Sequence, residues 1–202
     1  MSEDAEMTKR GYDLRKRLDT MDQTRQTVLQ AVRRQLEAQG YRQMTMSSLA
    51  TESGVTRQTV HNLFGSKQGV LEALFDSIAL ESGMERMREV MTHTEPEAML
   101  HGFVRVFCDF WKQNRLLIRR IHGIGAIDPD FGEIVEARNQ RRRGAAMRIA
   151  KRWKSSRDAT TAGATLSALT SFEFYDALAQ SGSSDTEAEA IISKLASSVV
   201  GV

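Results

Sequence analysis

Apolar residues first fall into step at Val28, Leu29, Val32 and Leu36, the three-and-four spacing of one helix face. Thr20, with Gln23 three residues on, fits a capping box that would start this helix, and Gly40 ends it. The pattern then shortens. Met44 and Leu49 bracket Thr45 as a hydrophobic staple brackets an N-cap, which predicts a brief second helix ending near Ser53, where Gly54 supplies the backbone freedom of a tight turn. Val55 and Val60 bracket Thr56 in the same way, and Phe64 lies one turn further along the inner face of this third helix. Gly65 and Ser66 break it, and Lys67 opens a longer fourth helix through Val70, Leu71, Leu74, Phe75 and Ile78 to about Gly83.

Beyond residue 83 the pattern predicts a helical bundle. Phe103, Phe107, Phe110 and Trp111 recur at helical spacing, and Leu116 to Ile121 form a shorter apolar run. The stretch GIGAIDPD reads as a loop, after which Asp128-Pro129 starts a long helix carrying Phe131, Ile134, Val135, Met147, Ile149 and Trp153. Arg141, Arg142 and Arg143 sit inside that helix, spread by about 100° each, and are expected in solvent. Two last helices are expected: residues 162–180 with Leu166, Leu169, Phe172 and Leu178, and residues 185–200 with Ala188, Ile191, Ile192, Leu195, Val199 and Val200, joined by SGSSD.

Composition agrees with an all-α chain: 202 residues, two prolines and 6% aromatics, with helix formers abundant. The single Cys108 rules out an internal disulfide. MSEDAEMTKR lacks the apolar run of a signal peptide, and no stretch approaches the roughly 18 apolar residues of a membrane span, so the expectation is a cytoplasmic protein without membrane contact. Charge is balanced overall but not locally: residues 7–67 hold eleven Lys or Arg against five acids. That excess marks either a basic partner surface or merely solvated helix faces.

Two short helices joined by a Gly-containing turn form the helix-turn-helix pattern, whose second helix can enter the major groove of DNA. With Val55, Val60 and Phe64 turned inward, Arg57, Gln58, Thr59, His61 and Asn62 make the outer layer. Arg forks onto guanine, Gln and Asn onto adenine, and Thr offers a methyl or a hydroxyl, so these residue types suit reading base edges. Lys67 adds a charge and free backbone N–H groups where a phosphate could dock. The competing reading is an ordinary helical hairpin with a polar outer face.

The segment from about Thr20 to Leu80 resembles the DNA-binding domain of the TetR family of transcriptional regulators. Gly40-Tyr41, Met44-Thr45, Leu49-Ala50, Gly54-Val55-Thr56, Thr59-Val60, Phe64, Ser66-Lys67 and Val70-Leu71 carry the resemblance. It implies a helix-turn-helix domain over residues 20–66, a connecting helix over 67–83 and an effector-binding and dimerisation domain over 84–202. It further implies that Thr45 and Lys67 hold phosphates while Arg57, Gln58, Thr59 and Asn62 face the groove. Two positions depart from the family's usual pattern: His61 stands where Tyr is most frequent, and Gln58 where a small residue is common. His61 is a candidate phosphate contact as a cation or an ordinary surface histidine. Residues 1–19, with the basic run KRGYDLRKRL, read as a flexible arm reaching DNA or as a solubilising tail.

The same resemblance implies a small-molecule pocket in the second part, with Phe103, Phe107, Trp111, His122, Phe172 and Tyr175 as lining candidates, Met87 and Met91 as adaptable filler, and an apolar or aromatic effector. An aromatic stripe at helical spacing is more often packed core than a ligand box. The last two helices would pair with those of a second copy in a four-helix bundle, as the family implies. No cofactor or metal site is expected: the four histidines lack ligand spacing, and Gly65-Ser66-Lys67 lacks the earlier Gly of a phosphate loop. His101 lies two turns from Cys108, too far for a nucleophile and base, so an enzyme is not expected. The reading is a dimeric regulator, a repressor released from its operator by an effector. A helical protein–protein adaptor and an effector-independent DNA-binding protein stand as the alternatives.

Overall fold

The computed structural model describes residues 3–38, 41–153 and 158–201, with residues 3–15 and 17 by backbone alone. The described residues form α-helices and one 3-10 turn, without a strand. They divide into two units, Met1–Phe75 and Asp76–Val202.

The first unit holds α1 (Glu3–Ala38), α2 (Met46–Ser53), α3 (Arg57–Phe64) and the first part of α4 (Lys67–Glu81). α1 starts well ahead of Thr20, inside the segment expected as an arm; Thr20 is not its cap. The Thr20 hydroxyl donates to the Lys16 carbonyl at 2.7 Å, and those of Thr24 and Thr27 reach back one turn at 2.8 and 2.9 Å, all contacts of a helix interior. Lys, Arg, Leu and Met propagate a helix at little cost, and the single Gly11 is not enough to stop it before Thr20. Gly40, expected to end the helix, lies outside the described residues.

Val28, Val32, Leu36, Met44, Leu49, Val60 and Leu71 are fully buried. Each such side chain stabilises by about 1.5–3 kcal/mol on leaving water. Helices of eight residues, such as α2 and α3, are marginal alone and exist because this core holds them. A polar tie adds direction: buried Gln35 on α1 donates to Glu52 at 2.8 Å and accepts from the Ser48 hydroxyl at 2.9 Å, while Arg34 donates to Glu52 at 2.7 Å. These bonds, Gln35's foremost, hold the Glu52 carboxyl below its ordinary pKa against the opposing effect of burial.

The second unit contains the end of α4, a 3-10 turn (Met84–Arg86), α5 (Met87–Val90), α6 (Pro96–Ile127), α7 (Pro129–Ala150), α8 (Ala159–Leu169), α9 (Phe172–Gln180) and α10 (Asp185–Val200). Three sequence expectations need correction. GIGAI is not a loop, because α6 runs to Ile127 and only Asp128 separates it from α7. Gly125 and Gly132 explain this: a Cβ on Gly132 would come within 2.6 Å of the Gly125 carbonyl oxygen, so bare backbones meet where a loop was expected.

Residues 162–180 are not one helix. Ser171 caps α9 by accepting from the Phe174 N–H at 3.2 Å, and the Thr170 hydroxyl turns back onto the Leu166 carbonyl at 2.8 Å. Arg142, finally, is not solvated: it is 7% exposed and reaches the C-terminal end of α8. The spread that keeps three arginines off one stripe also turns one of them inward, at the position continuing the buried series Val135, Ala145, Ile149.

α6 bends at Asn114, whose φ of −125° leaves the helical range. Its buried amide donates to the Phe110 carbonyl at 3.1 Å and to the Ser82 hydroxyl at 2.7 Å, so the side chain enters the helical ladder and fastens the bend to the residue after α4.

Candidate functional site

The exposed site of the first unit is assembled by caps. The Thr45 hydroxyl accepts from the Ser48 N–H at 3.0 Å, and the Ser48 hydroxyl accepts from the Thr45 N–H at 2.9 Å, a reciprocal box at the start of α2. Gly54 adopts φ +67°, a left-handed turn in which the Val55 N–H reaches back to the Ala50 carbonyl at 3.0 Å. Thr56 then accepts from the Thr59 N–H at 3.0 Å and starts α3. With the start fixed and Val60 buried, the outward face of α3 is fixed as well.

That face carries Arg57, Gln58, His61 and Asn62, all exposed; Thr45 is exposed at the start of α2. Thr59, expected among the outer residues, is half-buried, with its hydroxyl 2.8 Å from that of Thr56. Gln58 donates to the Asn62 side-chain oxygen at 2.8 Å, which sets two amides side by side one turn apart. Phe64, expected inside, is half-buried under the Arg25 guanidinium, 4.8 Å from the ring centroid, and Arg25 also donates to the Leu63 carbonyl at 3.3 Å. Arg25 therefore holds the far end of α3 to α1, a tie with no signal in the local pattern. Lys67 is half-buried: its ammonium donates to the Tyr41 carbonyl at 2.8 Å and sits 3.5 Å from the centroid of that ring. Gly69 lets α4 leave α3 closely, since a Cβ there would overlap the Phe64 carbonyl oxygen.

In the second unit the aromatic candidates meet in a row. Ring centroids lie 5.1 Å apart for Phe103–Phe107, 5.8 Å for Phe107–Trp111, 5.6 Å for Trp111–Phe172 and 5.0 Å for His122–Phe172. All but the half-buried His122 are buried. The Trp111 indole N–H donates to the Thr170 carbonyl at 3.1 Å. His122 lies 2.8 Å from Glu173, and this hydrogen bond is the main reason that the Glu173 carboxyl is lowered to about 2.

Tyr175, fully buried, has a different neighbourhood: its hydroxyl donates to Asp185 at 2.7 Å, and burial chiefly, then Asp185, raises its pKa. With Cys108, Asp109 and Lys112 it borders a small cleft of about 30 Å³. Burial pushes the Cys108 thiol up to about 12, which makes it a poor nucleophile. Met87 and Met91 are half-buried.

Two charged groups of this unit escape a sequence reading. Asp176, 6% exposed, accepts from Arg115 at 2.7 Å, from Arg119 at 2.6 and 3.1 Å and from Gln180 at 2.7 Å, fixing α9 to α6. Burial opposes its ionisation most, but the hydrogen bonds from Arg119, Arg115 and Gln180 together leave its pKa lowered. The second group is Arg142. A charged residue on an apolar stripe was the only available signal for either.

Residues 28–74 match the family model described as bacterial regulatory proteins, tetR family. The HTH-type transcriptional regulator AlkX of Mycobacterium tuberculosis is 31% identical over 113 residues, 55% of this chain and 52% of that protein. Nucleoid occlusion factor SlmA of Pasteurella multocida is 27% identical over 105 residues, 52% of this chain and 53% of that protein. The chain thus spans about half the length of these curated relatives. Among solved structures, a TetR transcription regulator of Haloarcula marismortui superposes with a TM-score of 0.69 at 18% identity, covering 89% of this chain and 97% of that one.

Proposed function

We propose that the chain is a TetR-family DNA-binding transcriptional regulator, as the match over residues 28–74 supports, and within that family a dimeric repressor released from its operator by a small effector. The observation that carries the reading is the outer face of α3, where Arg57, Gln58, His61 and Asn62 stand in solvent on a helix whose start is capped by Thr56. Arg57 forks onto guanine and the paired Gln58–Asn62 amides onto adenine. Thr45, at the N-terminus of α2, and Lys67, at that of α4, hold flanking phosphates, where backbone N–H groups and the helix dipole favour an anion. His61 adds a backbone contact, and Thr59 supports Thr56 more than it reaches the groove.

One short helix reads few base pairs, so the reading requires two copies, with recognition helices about 34 Å apart on a near-palindromic site. α10 offers a surface for this: its inner stripe of Ala188, Ile192, Ala196 and Val200 is buried, while Ile191 and Leu195 remain 37% and 40% exposed. A shallow groove of about 420 Å³ between Ser181 and Ile191 adjoins them. The effector lies against Phe103, Phe107, Trp111, His122 and Phe172, with Tyr175 behind. It acts by binding the DNA-incompetent arrangement more tightly, its effect passing along α4, which carries residues of both units. No described helix is long and apolar enough to cross a membrane, and the proposed setting is the cytoplasm.

Selecting bound sequences from a random duplex pool tests the reading. Enrichment of a near-palindrome is expected, with affinity falling steeply between about 50 and 200 mM salt. A salt-insensitive protein partner in place of duplex capture would instead establish an adaptor. Sedimentation at micromolar concentration is expected to give a dimer, and Leu195→Glu a monomer.

A further inference from the structure

Among its described residues, the second unit holds a buried cation without a paired anion. Arg142 is 7% exposed, and its Nη1 donates to the Ser167 carbonyl, to the Ser167 hydroxyl at 3.3 Å and to the Thr170 hydroxyl at 3.4 Å. Those bonds engage the C-terminal end of α8, which offers a fraction of a negative charge. Nε is buried and has no acceptor. Burial lowers the guanidinium pKa to about 10, which still leaves it charged at neutral pH.

No carboxylate among the described residues forms an ion pair with Arg142. Glu173, the acid whose field acts on it most, is hydrogen-bonded to His122 instead. An unpaired charge so deeply buried is among the costliest features a fold can carry, and an uncharged residue would cap α8 without that cost. Arginine presents a planar fork suited to a carboxylate, and here one edge of the fork is committed to α8 while Nε is not.

The surroundings describe the rest of a ligand. The guanidinium carbon lies 6.0 Å from the Phe107 ring centroid. Trp111 is tied to Thr170, the same segment that Arg142 holds, and Phe172 follows two residues later. One cation thus adjoins a row of rings, with half-buried His122 and exposed Glu173 at the outer end.

We propose that Arg142 anchors the head group of an organic carboxylate, whose apolar body lies along Phe107, Trp111 and Phe172. This rests on the effector reading above and adds the charge of the ligand. A monoanion suits one unengaged N–H donor beside apolar rings; a doubly charged phosphate would bring more charge than the site can solvate. The site therefore accepts aryl- or arylalkyl-carboxylates and rejects the corresponding alcohols.

The test uses the full chain at pH 7.5, with 4-phenylbutanoate and 2-naphthoate as probes against 4-phenyl-1-butanol and 2-naphthalenemethanol, read by calorimetry and by Trp111 fluorescence. The carboxylates are expected to bind at least about tenfold more tightly than the alcohols, the advantage of a hydrogen bond to a charged group. Arg142→Gln removes that preference and Arg142→Lys keeps part of it, while circular dichroism checks the fold of each variant. If a variant fails to fold, the wild-type ratio still decides. Alcohols binding as tightly as carboxylates would overturn the anionic head group and leave the effector reading standing. If neither class binds at millimolar concentration, this inference falls together with an effector site at these rings.

Discussion

On α3 the side chains of Arg57, Gln58, His61 and Asn62 stand in solvent above a backbone whose start is fixed by the Thr56 cap, as Thr45 fixes that of α2. Around α6 and α7 the arrangement is inverted: Arg142 and Asp176 are buried, and side-chain bonds rather than caps hold the elements to one another. The first unit puts the polar residues of α3 on display, with the Gln35–Glu52 tie between α1 and α2 turned inward. The second uses polar residues as internal fasteners. Substitutions should therefore separate cleanly into those that change recognition without changing stability and those that do the reverse.

The sharpest break should come from Asp176→Asn. The change weakens the charge-assisted bonds from Arg115 and Arg119 to a buried carboxylate, and because Arg115 is half-buried and Arg119 exposed, solvent limits the expected loss to about 2 kcal/mol. Both tryptophans, Trp111 and Trp153, belong to the second unit, so urea unfolding followed by tryptophan fluorescence reads that unit directly. The pH dependence has a defined sign. Because the folded pKa of Asp176 lies below its ordinary value, its stabilisation is present in full above the ordinary aspartate range and is lost as pH falls through the folded value. Wild type should lose stability in acid more steeply than Asp176→Asn, and fluorescence melts between pH 6 and 3 measure the difference.

Next in size are Arg57→Ala and Gln58→Ala, each expected to cost about 1–3 kcal/mol of specific duplex affinity while the urea midpoint stays put. Competition against mutated operators reads the first effect, and a urea melt followed by far-ultraviolet circular dichroism, which also sees the helices of the first unit, reads the second. Loss of affinity without loss of discrimination among sequences would assign these side chains to phosphates and blur the contrast. The smallest expected effect is that of Thr56→Ala, about 1 kcal/mol from the lost cap, visible in far-ultraviolet melting of the helices and as a modest fall in duplex affinity.

The two units also differ in how much of them can be read from sequence. Thr45, Gly54, Thr56 and Val60 act on residues no more than a few positions away, so the turn and the orientation of α3 follow from local rules. Even there, Thr59 is less outward than the spacing implies, because its hydroxyl meets that of Thr56. The aromatic row was legible as a helical stripe, though Tyr175 turns instead towards Asp185 on α10. Arg142, Asp176 and Asn114 were illegible for a common reason: the partners that tie them to other elements lie 25 to 61 positions away in sequence for the first two, and 32 for Asn114 with Ser82. The continuous helix through GIGAI was hidden because glycine disfavours helices when exposed, yet here lets two backbones touch.

The meeting of Gly125 and Gly132 has a mechanical corollary. With one residue between α6 and α7 and no side chains to slide over, the two helices form a clasp that resists shear. α6 already bends upstream at Asn114, one turn beyond Trp111, and that is where flexing is expected to concentrate. A disturbance among the rings would thus be delivered as torque at a single joint, and that joint is bolted to Ser82.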